Sequence, residues 1–215
     1  GGAVRKGWKI GLTSRAMQMA LGIDIPDSGI LFDDMFFDND AVVPAGRFIE
    51  PRVEAEIAFV MGDDLSGIDC TREAVLAATD WVTPALEILD TRILRVDPAS
   101  GVTRKVYDTI SDNAANAGIV LGDKKHKPEV FDLRWVGAVV ARNDIVEETG
   151  LGAGVLNDPV MGIVWLVQRL AEYGEGLTKG DVVLSGSFIR PIEALSGSVF
   201  AADYGTFGRV NITFE

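Results

Sequence analysis

The sequence predicts an α+β fold that is rich in β-strands and carries its helices at the periphery. Short apolar runs with strand-like alternation recur along the 215 residues, whereas helical spacing is confined to about three unevenly placed segments. No repeat, linker or low-complexity segment divides the chain. Hydrophobic residues make up 47% of it, which is enough to bury a sizeable core. We therefore predict one domain over residues 1–215, without a regular βαβ alternation.

The first half of the chain predicts two helices between strands. Residues 8–12 alternate like a strand, and Thr13 or Ser14 can cap a helix over residues 15–21 that ends at Gly22. The remaining elements of this half are a strand over residues 52–60, a helix over residues 71–80, a strand around Glu87 and a loop over residues 97–101.

The second half predicts the longest helix and a strand-rich end. Asp158 as N-cap, Pro159 at the first position and Gly174 as a stop bound a helix that reaches Tyr173. The strands are predicted over residues 131–140 and 145–147, and in the segments 182–189 and 198–215.

Three glutamates stand in apolar surroundings where charge is costly. A strand sends residues i and i+2 to one face, so Glu54 and Glu56 point together, and Glu87 follows in an equally apolar run. Like charges so close resist ionisation when buried unless a cation lies between them. Oxygen-only ligands suit a hard divalent ion such as Mg²⁺ or Mn²⁺. The alternative, from spacing alone, is an edge strand whose glutamates face solvent.

Composition excludes several classes of function. The net charge of −12 argues against a nucleic-acid partner, and no apolar run has the length of a membrane span. One cysteine, Cys70, precludes an internal disulfide and fits a cytoplasmic protein. The one histidine, His126, lies in a polar loop that favours a solvated role, which excludes His-dependent nucleophilic catalysis. The sequence contains no phosphate-binding glycine motif, so no nucleotide cofactor is indicated.

Six segments spread over the chain carry a resemblance to a known family. They are Gly7-Trp-Lys-Ile-Gly-Leu-Thr-Ser14, Pro26-Asp-Ser-Gly29, Asp33-Asp-Met-Phe-Phe37, Arg52-Val-Glu-Ala-Glu56, the run from Asp108 to Gly118, and Val183-Leu-Ser-Gly-Ser187. Together they resemble the hydratase/decarboxylase branch of the fumarylacetoacetate hydrolase superfamily. The resemblance covers essentially the whole chain and lacks only the N-terminal, largely helical segment that members carry ahead of the Lys9 motif.

The resemblance implies a single catalytic domain with the β-rich fold of that family, a Mg²⁺ or Mn²⁺ site and a homo-oligomer. It places the metal on Glu54, Glu56 and Glu87, and proton transfer on Lys9 and Asp27, with their acid and base roles left open. Ser187 matches a family position beside the substrate carboxylate, although Ser185-Gly-Ser187 departs from the Thr-Gly-Thr of hydrolytic members.

The implied activity is a metal-dependent lyase that adds water to a 2-oxo-alkenedioate in aromatic catabolism. A 2-oxo acid is a small molecule that can chelate a divalent ion, and polarising its carbonyl makes the distal alkene carbon electrophilic. The far carboxylate of a dioate needs a cation, for which we expect Arg104 and Lys105, with Arg92 and Arg190 as further candidates.

Three alternatives remain open. A 4-oxalocrotonate decarboxylase would use the same metal and lose CO₂, and a 2-hydroxypenta-2,4-dienoate hydratase would take a shorter substrate. An inactive scaffold that associates with the decarboxylase of the pathway is the non-enzyme alternative. Retention of Lys9, Asp27 and all three glutamates argues against the scaffold.

Overall fold

The structure is a computed structural model, and it describes residues 2–215. Its strands are, in chain order, β1 (Arg5–Gly11), β2 (Asp27–Phe32), β3 (Phe36–Phe37), β4 (Val42–Val43), β5 (Arg52–Met61), β6 (Thr79–Leu89), β7 (Asn116–Leu121), β8 (Gly137–Arg142), β9 (Ile145–Leu151), β10 (Val182–Leu184), β11 (Ile192–Glu193), β12 (Val199–Asp203) and β13 (Arg209–Phe214). The helices are α1 (Arg15–Leu21), α2 (Arg72–Ala78), α3 (Val106–Ser111) and α4 (Pro159–Ala171). The predicted α+β class is confirmed.

The strands form two sheets that share one apolar core. The larger sheet has the order β2-β1-β10-β5-β6-β7-β3, with β11 also paired to β5, and the smaller has the order β4-β13-β12-β8-β9. Buried side chains of both sheets and of α4 meet between them, among them Phe59, Phe200, Ile212 and Leu166. One face of the larger sheet therefore packs into this core. Its other face carries a smaller apolar cluster that includes Leu31, Ala58 and Leu184, all fully or almost fully shielded from solvent.

The helix boundaries follow from the capping residues that the sequence provides. The Ser14 side chain accepts a hydrogen bond from the Met17 N–H at the start of α1, and Gly22 ends that helix in the left-handed conformation with φ 65°. Asp158 caps α4 by accepting from the Val160 N–H. None of the helices within residues 2–215 combines the length and apolar character that crossing a membrane requires.

Several predicted boundaries are wrong because side chains or backbone geometry end the regular structure. Residues 131–136 do not belong to β8, since the Asp132 side chain accepts from the Arg134 N–H and caps a 3₁₀ turn there. The strand predicted over residues 182–189 ends at Leu184, ahead of Gly186 with φ 119°. Strand β9 runs on to Leu151, beyond the predicted end.

Two further elements differ from the sequence prediction. The helix predicted over residues 71–80 spans Arg72–Ala78, with Thr71 as its N-cap, and its last predicted residues begin β6. Helix α3 was not predicted; it is short, and none of its residues is buried, so it lacks the apolar stripe that marks a helix in sequence.

Candidate metal and substrate site

Strands β5 and β6 bring the three glutamates to one place. Their antiparallel register sets Glu54 directly opposite Glu87, and Glu56 opposite Ala85. Directly opposed residues share a face of the sheet, so all three carboxylates point the same way. One oxygen from each lies within 4.8 Å of the others. The edge-strand alternative is wrong, because β5 lies between β10 and β6 in the interior of the larger sheet.

The hydrogen bonding of the cluster leaves oxygens free for a cation. Glu56 and Glu87 are both 0% exposed. The Gly186 N–H donates to Glu56 Oε2 over 2.7 Å, whereas Glu56 Oε1 and Glu87 Oε2 have no hydrogen-bond partner and Glu87 Oε1 has only its ion pair with Lys9. Buried carboxylate oxygens without partners are costly unless a metal takes that role. The donor set and the spacing of these oxygens fit a hard divalent ion.

Lys9 and Asp27 lie beside the carboxylate cluster. Lys9 on β1 is 3% exposed, and its Nζ lies 3.3 Å from Glu87 Oε1. Asp27 begins β2 directly opposite Gly11. A Cβ atom on Gly11 would lie 2.2 Å from Asp27 Oδ1 and 3.2 Å from Lys9 Nζ, so only glycine lets these two groups approach each other there.

The electrostatics of the metal-free cluster favour protonated forms. Burial raises the pKa of Glu54 from 4.5 to about 8, and the charge of Glu87 adds to the shift. Burial likewise raises the pKa values of Glu56, Glu87 and Asp27. Burial alone would lower the pKa of Lys9, but the surrounding carboxylates outweigh it and hold that pKa above its ordinary value. A divalent cation would compensate the charges of the ionised carboxylates and so remove the repulsion between them.

Without a divalent ion, we expect thermal stability to fall as pH rises from 4.5 to about 8. A carboxyl whose pKa is raised by folding stabilises the fold fully below its unfolded pKa and loses that contribution as pH passes the folded value. Lys9 keeps its contribution over this window, because its unfolded pKa is 10.5. Calorimetric melting at a series of pH values, with chelator and with Mg²⁺, measures the effect. Mg²⁺ should abolish the fall, and parallel curves in both conditions would contradict it.

A cavity of about 240 Å³ opens onto the cluster. Lys9, Asp27 and Glu54 line it, so three of the five groups with perturbed pKa values face the space that a small molecule would occupy. Its basic lining residues, besides Lys9, are Arg52, Arg95 and Arg104. A second cavity, of about 260 Å³, shares Glu54 and Gly11 with the first and is lined by Ser187.

The four basic residues expected to bind the distal carboxylate of the substrate lie in different places. Arg104 lines the first cavity, where its guanidinium donates to Thr91 Oγ1. Lys105 is exposed and is not a lining residue of either cavity; its N–H donates to Asp108 Oδ2 over 2.8 Å. Arg92 is occupied by Asp112, with Nε 2.7 Å from Oδ1. Arg190 lines the second cavity and pairs with Glu148 over 2.5 Å.

Ser187 and His126 both have backbone partners. The Ser187 hydroxyl donates to the Ile189 carbonyl over 2.9 Å and shapes the turn at the rim of the second cavity. His126 is not simply solvated as predicted. Its ring stacks on Phe207 with centroids 5.0 Å apart, and its Nε2 lies 2.8 Å from the Phe207 carbonyl oxygen. Its position on the core side leaves it outside both cavities.

Three site residues were not found from the sequence. Arg52 precedes Glu54 by two positions and so shares its face, which the strand period alone could have indicated. Arg95 lies in a loop, where no period applies, and pairs with Glu50 over 2.8 Å. Tyr204 contacts the Glu56 backbone across 148 positions of sequence, and no local pattern signals such a contact.

The family model for the fumarylacetoacetate (FAA) hydrolase C-terminal region matches residues 11–214. The chain belongs to the fumarylacetoacetate hydrolase family. Within that family it is 50% identical over 213 residues to the 2-oxo-hept-4-ene-1,7-dioate hydratase of Escherichia coli, covering 99% of this chain and 80% of that protein. It is 39% identical to the 2-keto-4-pentenoate hydratase of Paraburkholderia xenovorans (strain LB400), covering 97% and 76%.

A solved member of the fumarylacetoacetate hydrolase family has the same fold. The 4-oxalocrotonate decarboxylase from Pseudomonas putida G7, complexed with magnesium and adipate, superposes with a TM-score of 0.92 at 31% identity, covering 100% of this chain and 79% of that one. The expected family and its β-rich fold are thus confirmed, and the carboxylate cluster described above lies within the matched region.

Proposed function

We propose that this protein is a divalent-metal-dependent hydratase, a hydro-lyase that adds water to a 2-oxo-alkenedioate. The substrate that fits best is 2-oxo-hept-4-ene-1,7-dioate, which would give 4-hydroxy-2-oxoheptane-1,7-dioate. The observation that carries the proposal is the cluster of Glu54, Glu56 and Glu87, which contains buried oxygens without hydrogen-bond partners and reaches a cavity of about 240 Å³ through Glu54. The hydratase from Escherichia coli that shares 50% of its residues supports the reaction and the substrate.

The three glutamates would hold the metal, and Mg²⁺ or Mn²⁺ suits their oxygen-only donor set. When bound, such an ion supplies a Lewis acid that polarises the 2-oxo carbonyl of the substrate. Lys9 and Asp27 then carry the proton that moves along the conjugated chain. Both side chains line the cavity, and Lys9 Nζ lies beside the carboxylate cluster, 3.3 Å from Glu87 Oε1, so either group can exchange a proton with a substrate in the cavity.

The basic lining of the cavity supports a dicarboxylate substrate. A carboxylate taken out of water needs charge-assisted hydrogen bonds, and a planar guanidinium provides them in pairs. We propose that Arg104 binds the distal carboxylate in the cavity that Arg52 and Arg95 also line. That adipate, a dicarboxylate, is bound with magnesium in the similar decarboxylase structure supports the same substrate class.

We expect Arg104→Ala to lower kcat/KM for the dioate roughly ten- to hundredfold, because a lost bond to a charged group costs about 1.5–3 kcal/mol. The kcat/KM for a monocarboxylate 2-oxo-alkenoate should change little. Lys105→Ala is the matched control, because it removes a neighbouring exposed cation that lines neither cavity, and it should leave kcat/KM for both substrates unchanged. Equal losses for both substrates would refute the dioate assignment and favour a shorter dienoate as substrate.

A 4-oxalocrotonate decarboxylase is the second candidate, favoured by the TM-score of 0.92 to such an enzyme. It would use the same cluster and release CO₂ instead of adding water. Trapping of CO₂ from a 2-oxo-dioate incubated with the metal-loaded protein separates the two. Release of CO₂ in step with substrate loss would assign the decarboxylase.

The cellular setting and assembly complete the proposal. We propose a single catalytic domain, because the two sheets share one core, and a cytoplasmic setting, because Cys70, the one cysteine of the sequence, is a buried free thiol. A homo-oligomer, with the decarboxylase of the pathway as a further partner, is supported by apolar side chains exposed on the smaller sheet, among them Val139, Val146 and Leu151. Native mass spectrometry measures the number of copies.

A further inference from the structure

The hydroxyl group of Tyr204 joins the two strands that carry the carboxylate cluster. It accepts a hydrogen bond from the Glu56 N–H over 3.1 Å and donates one to the Ala85 carbonyl over 2.7 Å. Glu56 and Ala85 are directly opposed in the β5–β6 register. A side chain from a remote part of the sequence therefore takes part in the hydrogen bonding between these strands at the position of a candidate metal ligand.

The ring of Tyr204 is fixed in place by aromatic packing. The residue directly follows β12 of the smaller sheet and is 4% exposed. Its ring meets Phe188 edge to face with centroids 6.0 Å apart, and Phe207 lies 6.3 Å away on a tilted plane. The ring is packed in the core between the two sheets, so its hydroxyl is held in one place. Its hydrogen bond to Glu56 therefore restrains β5 at that residue.

Hydrogen bonds consequently hold both the backbone and the side-chain carboxylate of Glu56. Tyr204 holds its backbone N–H, and the Gly186 N–H holds one carboxylate oxygen, which leaves Oε1 as its partnerless oxygen. Glu54 is only partly buried and lines the cavity, and Glu87 has Lys9 as its charged neighbour. Hydrogen bonds to both the backbone and the carboxylate of Glu56 therefore restrain its position before a metal binds.

We propose that Tyr204 is a positioning residue for the metal site. Its hydroxyl sets the place of the Glu56 backbone so that the free carboxylate oxygen meets those of Glu54 and Glu87. It touches neither substrate nor metal and acts through the backbone of the two strands that carry the ligands, at Glu56 on β5 and at Ala85 on β6. The inference rests on the proposed function in one respect, namely that this cluster binds a divalent ion.

Tyr204→Phe tests the proposal, because it keeps the ring and removes only the hydroxyl. We expect Mg²⁺ affinity, measured by calorimetry without substrate, to fall on the order of tenfold, the lower end of the range for partners that orient metal ligands. Thr83→Val is the matched control. Like Tyr204→Phe, it removes one buried hydroxyl, here from a residue of β6. The Thr83 hydroxyl donates to the Gly122 carbonyl over 2.9 Å and has no hydrogen bond to Glu56.

The two variants should lose comparable thermal stability, while only Tyr204→Phe loses Mg²⁺ affinity. Equal affinities of Tyr204→Phe and the wild type would overturn the positioning role and leave the metal site intact. If the wild type itself binds no Mg²⁺, the proposed function fails first. The two failures are therefore distinguishable.

A measurement on the wild-type chain covers the case in which Tyr204→Phe does not fold. The sequence has three tyrosines, and Tyr107 and Tyr173 are exposed. Incorporating a fluorinated tyrosine gives one fluorine NMR signal for each, assigned through Tyr107→Phe and Tyr173→Phe. Because Tyr204 holds Glu56 before the metal binds, the Tyr204 signal should have the same narrow line width without Mg²⁺ and at saturating Mg²⁺. A Tyr204 signal that is exchange-broadened without Mg²⁺ and narrows only when Mg²⁺ binds would overturn the proposal.

Discussion

Glu56→Gln is expected to abolish Mg²⁺ binding and turnover together. The affinity should fall more than about 100-fold, because even residues that only orient a metal ligand contribute about 10- to 100-fold. The variant keeps an oxygen to accept from the Gly186 N–H, so the local hydrogen bond survives. Isothermal calorimetry with Mg²⁺ and a steady-state assay measure both losses.

The metal-free Glu56→Gln protein should melt at least as high as the metal-free wild type, since one buried like charge has been removed. This separates loss of metal binding from loss of folding. Glu129→Gln is the matched control, because it makes the same change of charge at an exposed turn residue that lines neither cavity. Undiminished Mg²⁺ affinity in Glu56→Gln would refute the assignment of the metal ligands.

Lys9→Met should separate metal binding from turnover. We expect the variant to keep its Mg²⁺ affinity and to lose its catalytic rate. We expect kcat to fall by about 10²–10⁴-fold, the range for a residue that transfers or stabilises a proton in the transition state. Mg²⁺ affinity should not fall, because the ammonium group near Glu87 repels a cation. Methionine fills the buried space of the lysine stem without its charge.

Lys6→Met on the same strand is the control, since Lys6 is exposed and should leave both kcat and Mg²⁺ affinity unchanged. Wild-type turnover by Lys9→Met would mean that Lys9 only balances the charge of the carboxylates. Mg²⁺ affinity lost together with turnover would instead make Lys9 a structural part of the metal site.

The sequence could predict the part of the site that local geometry determines. The period of a strand places Glu54 and Glu56 on one face, and the structure shows them there. The spacing alone left a solvated edge strand open, because the position of a strand within its sheet depends on pairing with distant segments. Strand β10, which follows β5 by more than a hundred positions, is what places β5 in the interior.

The rest of the site depends on contacts between remote segments. Taken alone, Lys9 reads as a solvated strand lysine, yet it is 3% exposed because β2 and β10 flank β1. The resemblance indicated Lys9, Asp27 and Glu87 without giving their distances. The role of Tyr204 and the guanidinium groups of Arg52 and Arg95 in the cavity wall arise only when the two sheets pack and the loops close.

The most direct test of the account is product analysis in isotopically labelled water. Wild-type protein is incubated with 2-oxo-hept-4-ene-1,7-dioate, with Mg²⁺ in one sample and with chelator in the other, and the products are identified by mass. We predict a dioate that carries a hydroxyl oxygen from solvent at carbon 4 and has kept all its carbon, formed only with Mg²⁺. A product that has lost CO₂ without gaining solvent oxygen, or equal turnover in the chelator, would contradict the account.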